Sequence, residues 1–210
     1  MKEPLTLALP KGRLFDQVQE HFHCVGMDFD FSDRKLVAHD STGRLRIMLV
    51  KNSDLPTYVS HGIAGLGVCG EDVVYESGLE FTRLMEMPYG GTSMCLAAKK
   101  DRPGVPAPGT WTVATKFTRF TRDWFHAQGL PVKVVRLDGS VELAPVLGLA
   151  PWIVDLVETG STLKANGLEV VEKLKDIRVS FLANPAYFKL YYKEIGELVD
   201  ILKKAQGLKP

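Results

Sequence analysis

Apolar positions along the chain alternate between two rhythms: short unbroken runs, and longer stretches in which they recur every third or fourth residue. The first run, LTLAL at 5–9, leads through Pro10-Lys11-Gly12-Arg13 into a stretch where Leu14, Phe15, Val18 and Phe22 fall at helical spacing. That pattern predicts strand, turn, helix. LRIMLV at 45–50 repeats it, passing through Lys51-Asn52-Ser53-Asp54 into LPTYVSHG, with Pro56 in the first turn of the predicted helix. A third repeat predicts a strand over 66–69 that ends at Gly70-Glu71-Asp72 before a short helix.

Residues 88–110 are rich in Pro, Gly and small residues, and DRPGVPAPGT within them predicts an exposed connection and a change of domain near residue 90. Beyond it MCLAAKK, TVATK, VKVVRL and PWIVDLV predict strands, while FTRDWFHAQGL and GSVELAPVLGL predict helices. TLKANG predicts a short helix closed by Asn166-Gly167, IRVSFLAN a returning strand, and EIGELVDILKKA an amphipathic helix. Strands alternating with helices imply an α/β protein of two lobes, with mostly parallel sheets and crossover helices in each.

Composition narrows the function classes. At 210 residues, 45% hydrophobic and 24% charged, the chain can bury a sizeable core. Lys+Arg 26 against Asp+Glu 25 leaves a charge of +1, so no basic field recruits nucleic acid or an anionic membrane, and any anion must be held locally. Cys24, Cys69 and Cys95 lie far apart without a C-x-x-C pair, which predicts reduced, buried thiols. The apolar stretch of MKEPLTLALPKGRL is too short for a signal-peptide core or a membrane span, so a soluble cytoplasmic protein is expected. The histidines, His21 and His23 included, show no metal-ligand spacing. Trp124, Phe125, Phe181 and Tyr187 suit a core or interface rather than an adenine platform.

The most informative chemistry lies in VDLVETGSTL at 154–163. Loops at the carboxyl ends of parallel strands are where α/β proteins place ligands, because backbone N–H groups there lack partners. Gly160 lets backbone approach closely, and the hydroxyls of Thr159, Ser161 and Thr162 can surround a monoester phosphate. The lysine of a G-x-x-x-x-G-K-[ST] loop is missing, which argues against a triphosphate held across its β and γ groups. Asp155 and Glu158 add acceptors for sugar hydroxyls or for a hydrated magnesium ion. Together these suit a sugar phosphate; the competing reading is a capped helix beside solvated acids.

PKGRL, DLPTYVSHGIAGLGVCGEDV, ATKF, GSVELAP, VDLVETGSTLKANGLEV and VSFLAN occur in this order, and over nearly the whole chain they resemble the short-form ATP phosphoribosyltransferase family. The resemblance implies a reaction in which N1 of the adenine of ATP attacks C1 of 5-phosphoribosyl 1-diphosphate and expels pyrophosphate, the first step of histidine biosynthesis. It also implies a type II periplasmic-binding-protein-like fold with the active site in the inter-lobe cleft. The expected division is 1–90 plus 180–210 in lobe I and 91–179 in lobe II, which carries the phosphoribosyl-diphosphate loop. Within that loop Thr159, Gly160, Ser161 and Thr162 would surround the 5-phosphate, with Asp155 and Glu158 facing the ribose and its metal. The implied cofactor is Mg2+, carried by substrate phosphates with Asp155 or Glu158 as protein ligand.

Attack by a ring nitrogen that already has a lone pair needs positioning and electrostatics rather than a Ser-His-Asp relay. The basic residues expected at the site are Lys11, Arg13, Arg34, Lys51 and Lys116, with Arg13 and Lys51 stabilising the leaving pyrophosphate. Glu142 either approaches the donor or caps the helix that Ser140 starts. The chain departs from the family pattern at Lys51, where arginine is common, at Pro151 and Gly65, where acids are usual, and at Glu71, where lysine is usual. After EIGELVDILKKA only QGLKP follows, so the histidine-binding domain of long-form relatives is not expected. A regulatory subunit similar to the catalytic core of histidyl-tRNA synthetase is expected instead, around a homodimer within a hetero-oligomer. The alternatives are a non-catalytic two-lobed small-molecule binding protein, for which an export signal would be usual, and a phosphoribosyltransferase for another base.

Overall fold

The computed structural model describes residues 3–31, 35–101 and 109–206, so most of DRPGVPAPGT and of the final QGLKP lies outside the described chain. The chain runs β1 (Leu5–Pro10), α1 (Arg13–His23), β2 (Val37–His39), β3 (Leu45–Val50), a 3-10 turn at Asn52–Asp54, α2 (Leu55–Ser60), β4 (Leu66–Gly70), α3 (Glu71–Ser77) and β5 (Thr82–Glu86). It continues as β6 (Thr92–Lys99), β7 (Trp111–Thr115), α4 (Thr118–Ala127), β8 (Val132–Arg136), α5 (Leu143–Leu147), β9 (Trp152–Val157) and α6 (Ser161–Ala165). It closes with β10 (Leu168–Ile177), β11 (Val179–Ala183), α7 (Pro185–Leu190) and α8 (Tyr192–Gln206). Two units emerge, Met1–Gly90 with Arg178–Pro210, and Gly91–Ile177.

The first unit holds a sheet in the order β2-β3-β1-β4-β11-β5, and the second a sheet in the order β10-β6-β9-β7-β8. Parallel pairing is confined to the trio β3-β1-β4 in one and β9-β7-β8 in the other. The remaining neighbours, β2 on β3, β11 on β4 and β5, and β6 on β10 and β9, are antiparallel. The sheets are therefore mixed, and the expectation of mostly parallel strands holds only within these two trios. β2 joins β3 antiparallel through a tight turn in which Asp40 accepts from Thr42 N–H at 3.0 Å and Leu45 N–H at 2.6 Å. β10 is an edge strand with two register shifts and mostly exposed side chains, so it carries little period-two apolar signal.

Each sheet buries both faces. In the first unit Val18 and Phe22 of α1 pack with Ile195, Leu198 and Leu202 of α8 on one face, and Leu55 and Val59 of α2 pack on the other, with Val74 of α3 against them. His21 adds a buried tie, its Nε2 lying 2.9 Å from the carbonyl of Leu202. In the second unit Phe120 and Phe125 of α4 cover Trp111 and Trp152, while Ala144 of α5 and Leu163 of α6 cover Ala97, Ala114 and Ile153 on the opposite face. Cys69 and Cys95 are buried free thiols as their apolar neighbours predict, but Cys24 is exposed just past the end of α1. Among the described residues no helix is long and apolar enough to cross a membrane.

Candidate active site at the carboxyl ends of the central strands

Strand order dictates where a ligand can enter. β7 and β9 are parallel neighbours, yet α4 leaves β7 toward one face while α6 leaves β9 toward the other. Diverging connections open a crevice outside the carboxyl ends of such a pair, the position that ligands take in open α/β sheets. The first unit repeats the device: α1 leaves β1 toward one face and α3 leaves the adjacent β4 toward the other.

Around the β7–β9 crevice the chain places Lys116, Glu142, Asp155 and the loop 158–162. Lys116 is exposed immediately after β7, its ammonium 4.7 Å from the centroid of the Phe117 ring. Asp155 is half-buried within β9, where it accepts from Leu156 N–H at 2.8 Å. Burial raises its carboxyl above the ordinary aspartate value; the Leu156 N–H and the Lys116 charge oppose that rise, and the Glu142 charge reinforces it. Lys116 and Glu142 thus both act on Asp155, which stands at the centre of the cluster. Glu142 stands at the N-cap of α5 without a side-chain capping bond. The capping alternative thus finds no support, and Ser140 does not cap the helix by side chain either: it holds φ +48°, a left-handed conformation that disfavours an L side chain by about 1–2 kcal/mol.

The loop after β9 turns on Gly160, whose φ of +72° only glycine adopts without strain. That turn brings the Thr159 and Ser161 hydroxyls to 3.0 Å from one another. Asn166 Nδ2 donates to the Thr162 carbonyl at 2.9 Å and closes the far end of α6. Glu158 and Thr159 are exposed.

In the first unit the register Pro10↔Val50 puts Lys11 and Lys51 one step beyond the ends of adjacent parallel strands, and Lys11 N–H donates to the Val50 carbonyl at 3.2 Å. Gly12, at φ +95° and ψ −160°, makes the turn that starts α1 at Arg13. Lys11, Arg13 and Lys51 are all exposed at this edge. Arg34 lies outside the described residues.

Two of the departures from the family pattern, Gly65 and Glu71, have local explanations. Gly65 and Pro151 directly precede β4 and β9, at the edge opposite the loops just described. A Cβ on Gly65 would fall 2.1 Å from ring carbons of Tyr187, whose hydroxyl accepts from Thr6 N–H at 3.1 Å, while Gly65 N–H donates to Thr6 Oγ1 at 2.7 Å. The ring fills the space a side chain would need. Glu71 does lie at a carboxyl edge, and there it pairs with Arg83 at 2.8 Å. Phe125 and Phe181 are core residues, and Trp124 and Tyr187 pack partly buried against cores. One residue at the crevice escaped sequence reasoning: Thr115, buried beneath Lys116, whose only sequence signal was its place in ATKF.

Known proteins place this chain. The HisG family profile, described as ATP phosphoribosyltransferase, matches residues 51–204. A protein of Caldicellulosiruptor saccharolyticus named ATP phosphoribosyltransferase is 42% identical over 205 residues, covering 95% of this chain and 98% of that one. Among solved structures, the ATP phosphoribosyl transferase (HisG:HisZ) complex from Thermotoga maritima superposes with a TM-score of 0.84 at 33% identity, covering 96% of this chain and 98% of its own. The alkanesulfonate-binding protein SsuA from Xanthomonas axonopodis pv. citri, at 12% identity, shares the fold with a TM-score of 0.63 over 99% of this chain and 74% of its own. Near-full-length identity with enzymes, set beside a bare likeness of fold to the binding protein, decides between the two classes: the chain belongs to the ATP phosphoribosyltransferase family.

Proposed function

We propose that the β7–β9 crevice holds the ribose 5-phosphate half of 5-phosphoribosyl 1-diphosphate, with Thr159, Gly160, Ser161 and Thr162 at the phosphate and Asp155 and Glu158 at the ribose. The reaction is that of the family: N1 of the adenine of ATP bonds to C1 of the donor as the C1–O bond to pyrophosphate breaks. The product, N1-(5-phosphoribosyl)-ATP, is the first intermediate of histidine biosynthesis. The observation that carries the site reading is the Gly160 turn, which pairs the Thr159 and Ser161 hydroxyls at the end of the strand that holds Asp155.

The chemistry asks for little beyond placement and charge. As the C1–O bond weakens, positive charge builds on the sugar and negative charge on the leaving group. A half-buried carboxylate such as Asp155, held against Glu142, is relieved by a nearby cation, which a sugar with oxocarbenium character provides. Lys116 offsets the phosphate side. Arg13 and Lys51 are the groups we assign to the departing pyrophosphate, and Lys11 to anion binding at the same strand edge; Arg34 joins them on sequence grounds alone. Among the described residues no three His, Cys, Asp or Glu side chains converge as a metal cage. Asp155 and Glu158 offer hard oxygen donors that would fit Mg2+ held chiefly by substrate oxygens. When bound, Mg2+ supplies charge neutralisation on the pyrophosphate.

The Thermotoga maritima relative was solved with HisZ, which supports a HisZ-like partner for this chain; that the partner is a regulatory subunit similar to histidyl-tRNA synthetase, gathered with a catalytic homodimer into a cytoplasmic hetero-oligomer, is the reading we add on sequence grounds. The test is product formation by the purified chain with 5-phosphoribosyl 1-diphosphate, Mg2+ and a panel of acceptors, with and without such a partner and across a histidine series. Product with ATP alone among the acceptors, and histidine inhibition only with the partner present, are expected. Turnover of another base in place of ATP would refute the acceptor assignment.

A further inference from the structure

Thr115 ends β7 and is fully buried. Its hydroxyl donates to the carbonyl of Val154 at 2.6 Å and accepts from the N–H of Phe117 at 2.9 Å. Val154 immediately precedes Asp155, and Phe117 immediately follows Lys116. The ladder between β7 and β9 is in register at Val113↔Trp152 and Ala114↔Ile153 and ends there. The hydroxyl bonds one step later, where β7 turns off into α4 and β9 continues toward the loop. One side chain thus joins the two strands at the floor of the crevice, and its partners flank both charged residues above.

We propose that Thr115 is a positioning residue: its hydroxyl fixes the backbone of Lys116 relative to that of Asp155, and so sets the shape of the donor site. Fully satisfied buried hydroxyls that join two backbone groups make them rigid relative to one another, and misplacement of a binding group by about 1 Å can lower rate about 100-fold. Valine would fill nearly the same volume and keep β-branching while removing both bonds, whereas serine would keep the hydroxyl and lose one methyl. The inference rests on the reading of the Lys116–Asp155 cluster as the donor site.

The test compares Thr115→Val and Thr115→Ser with Lys116→Ala and Asp155→Asn, singly and combined, in steady-state kinetics with both substrates, alongside thermal melts. Thr115→Val is expected to lower kcat/KM for the phosphoribosyl donor about 10- to 100-fold with KM for ATP within about twofold. Thr115→Ser should recover most of that loss. Added to the Lys116→Ala/Asp155→Asn double variant, Thr115→Val should cause little further loss, because the groups it positions are gone. Should Thr115→Val fail to fold, Thr115→Cys, which keeps volume with a weak donor, carries the same comparison. Donor kinetics unchanged in the folded valine or cysteine variant, or a loss that adds in full to the double variant's, would overturn the inference while leaving the site reading intact. Donor kinetics unchanged in Lys116→Ala and Asp155→Asn would overturn the site reading, and this inference with it.

Discussion

The hydroxyls of Thr159 and Ser161 meet at 3.0 Å across Gly160, which sits at φ +72°. A Cβ at Gly160 would lie 3.7 Å from Val157 Cγ1, ordinary contact, so the glycine is required by conformation and not by space. Gly160→Val should therefore destabilise the fold by about 1–2 kcal/mol or more while it splays the two hydroxyls. Thermal melts should show a modest loss, and calorimetry a much larger loss of donor binding. Wild-type donor affinity in a folded valine variant would exclude the turn from the phosphate site.

Asp155 ties stability to activity in opposite senses. Burial raises its folded carboxyl above the ordinary value of 3.8, so the folded chain holds that proton more tightly than the unfolded chain does. The associated stability is complete below the unfolded pKa and is lost as pH rises through the folded one. At neutral pH the ionised group opposes folding, so Asp155→Asn, which still offers Leu156 N–H an acceptor, should raise the Tm and lower turnover. With activity dependent on the carboxylate, Lys116→Ala should move the acid limb of the kcat/KM profile to higher pH and Glu142→Gln to lower pH. Shifts of the opposite sign would contradict the electrostatic cluster.

Removal of a leaving-group contact should act on turnover more than on donor binding. Arg13→Ala is expected to raise the barrier by about 2–4 kcal/mol, with a smaller change in donor Kd. Full activity at saturating substrates would take Arg13 out of the chemistry.

Gly65 and Tyr187 form a packing pair, because the ring stands where a Cβ would be. Gly65→Ala should destabilise by about 1–3 kcal/mol or more by overpacking, and combined with Tyr187→Ala it should cost less than the sum of the two single losses. Additive melting shifts in the double variant would show the two residues to be independent. Donor kinetics should be unaffected in the folded variants, since both lie at the strand edge away from the loops.

The parallel trios and the loop chemistry were legible because they rest on local signals: apolar runs that end in Lys11-Gly12, Lys51 and Thr159-Gly160, each followed by helical spacing. β10 was not legible, since an exposed edge strand broken by register shifts has no buried face to impose alternation. α7 left a signal that went unused, Asn184-Pro185, where Asn184 Oδ1 accepts from Ala186 N–H at 2.9 Å and Tyr187 N–H at 3.1 Å. Thr115 could not be distinguished from any strand threonine, because its role depends on Val154, which is 39 residues distant in sequence. For the same reason the meaning of Gly65 waited on Tyr187.

The most direct measurement is a pair of calorimetric titrations, 5-phosphoribosyl 1-diphosphate and ATP, each into the wild-type chain and into Thr159→Ala. Loss of a hydrogen bond to a charged phosphate is worth about 1.5–3 kcal/mol, so donor Kd should weaken about 10- to 100-fold while ATP Kd stays within about twofold. Equal weakening of both ligands, or no change in either, would contradict the assignment of the 155–162 loop to the phosphoribosyl donor.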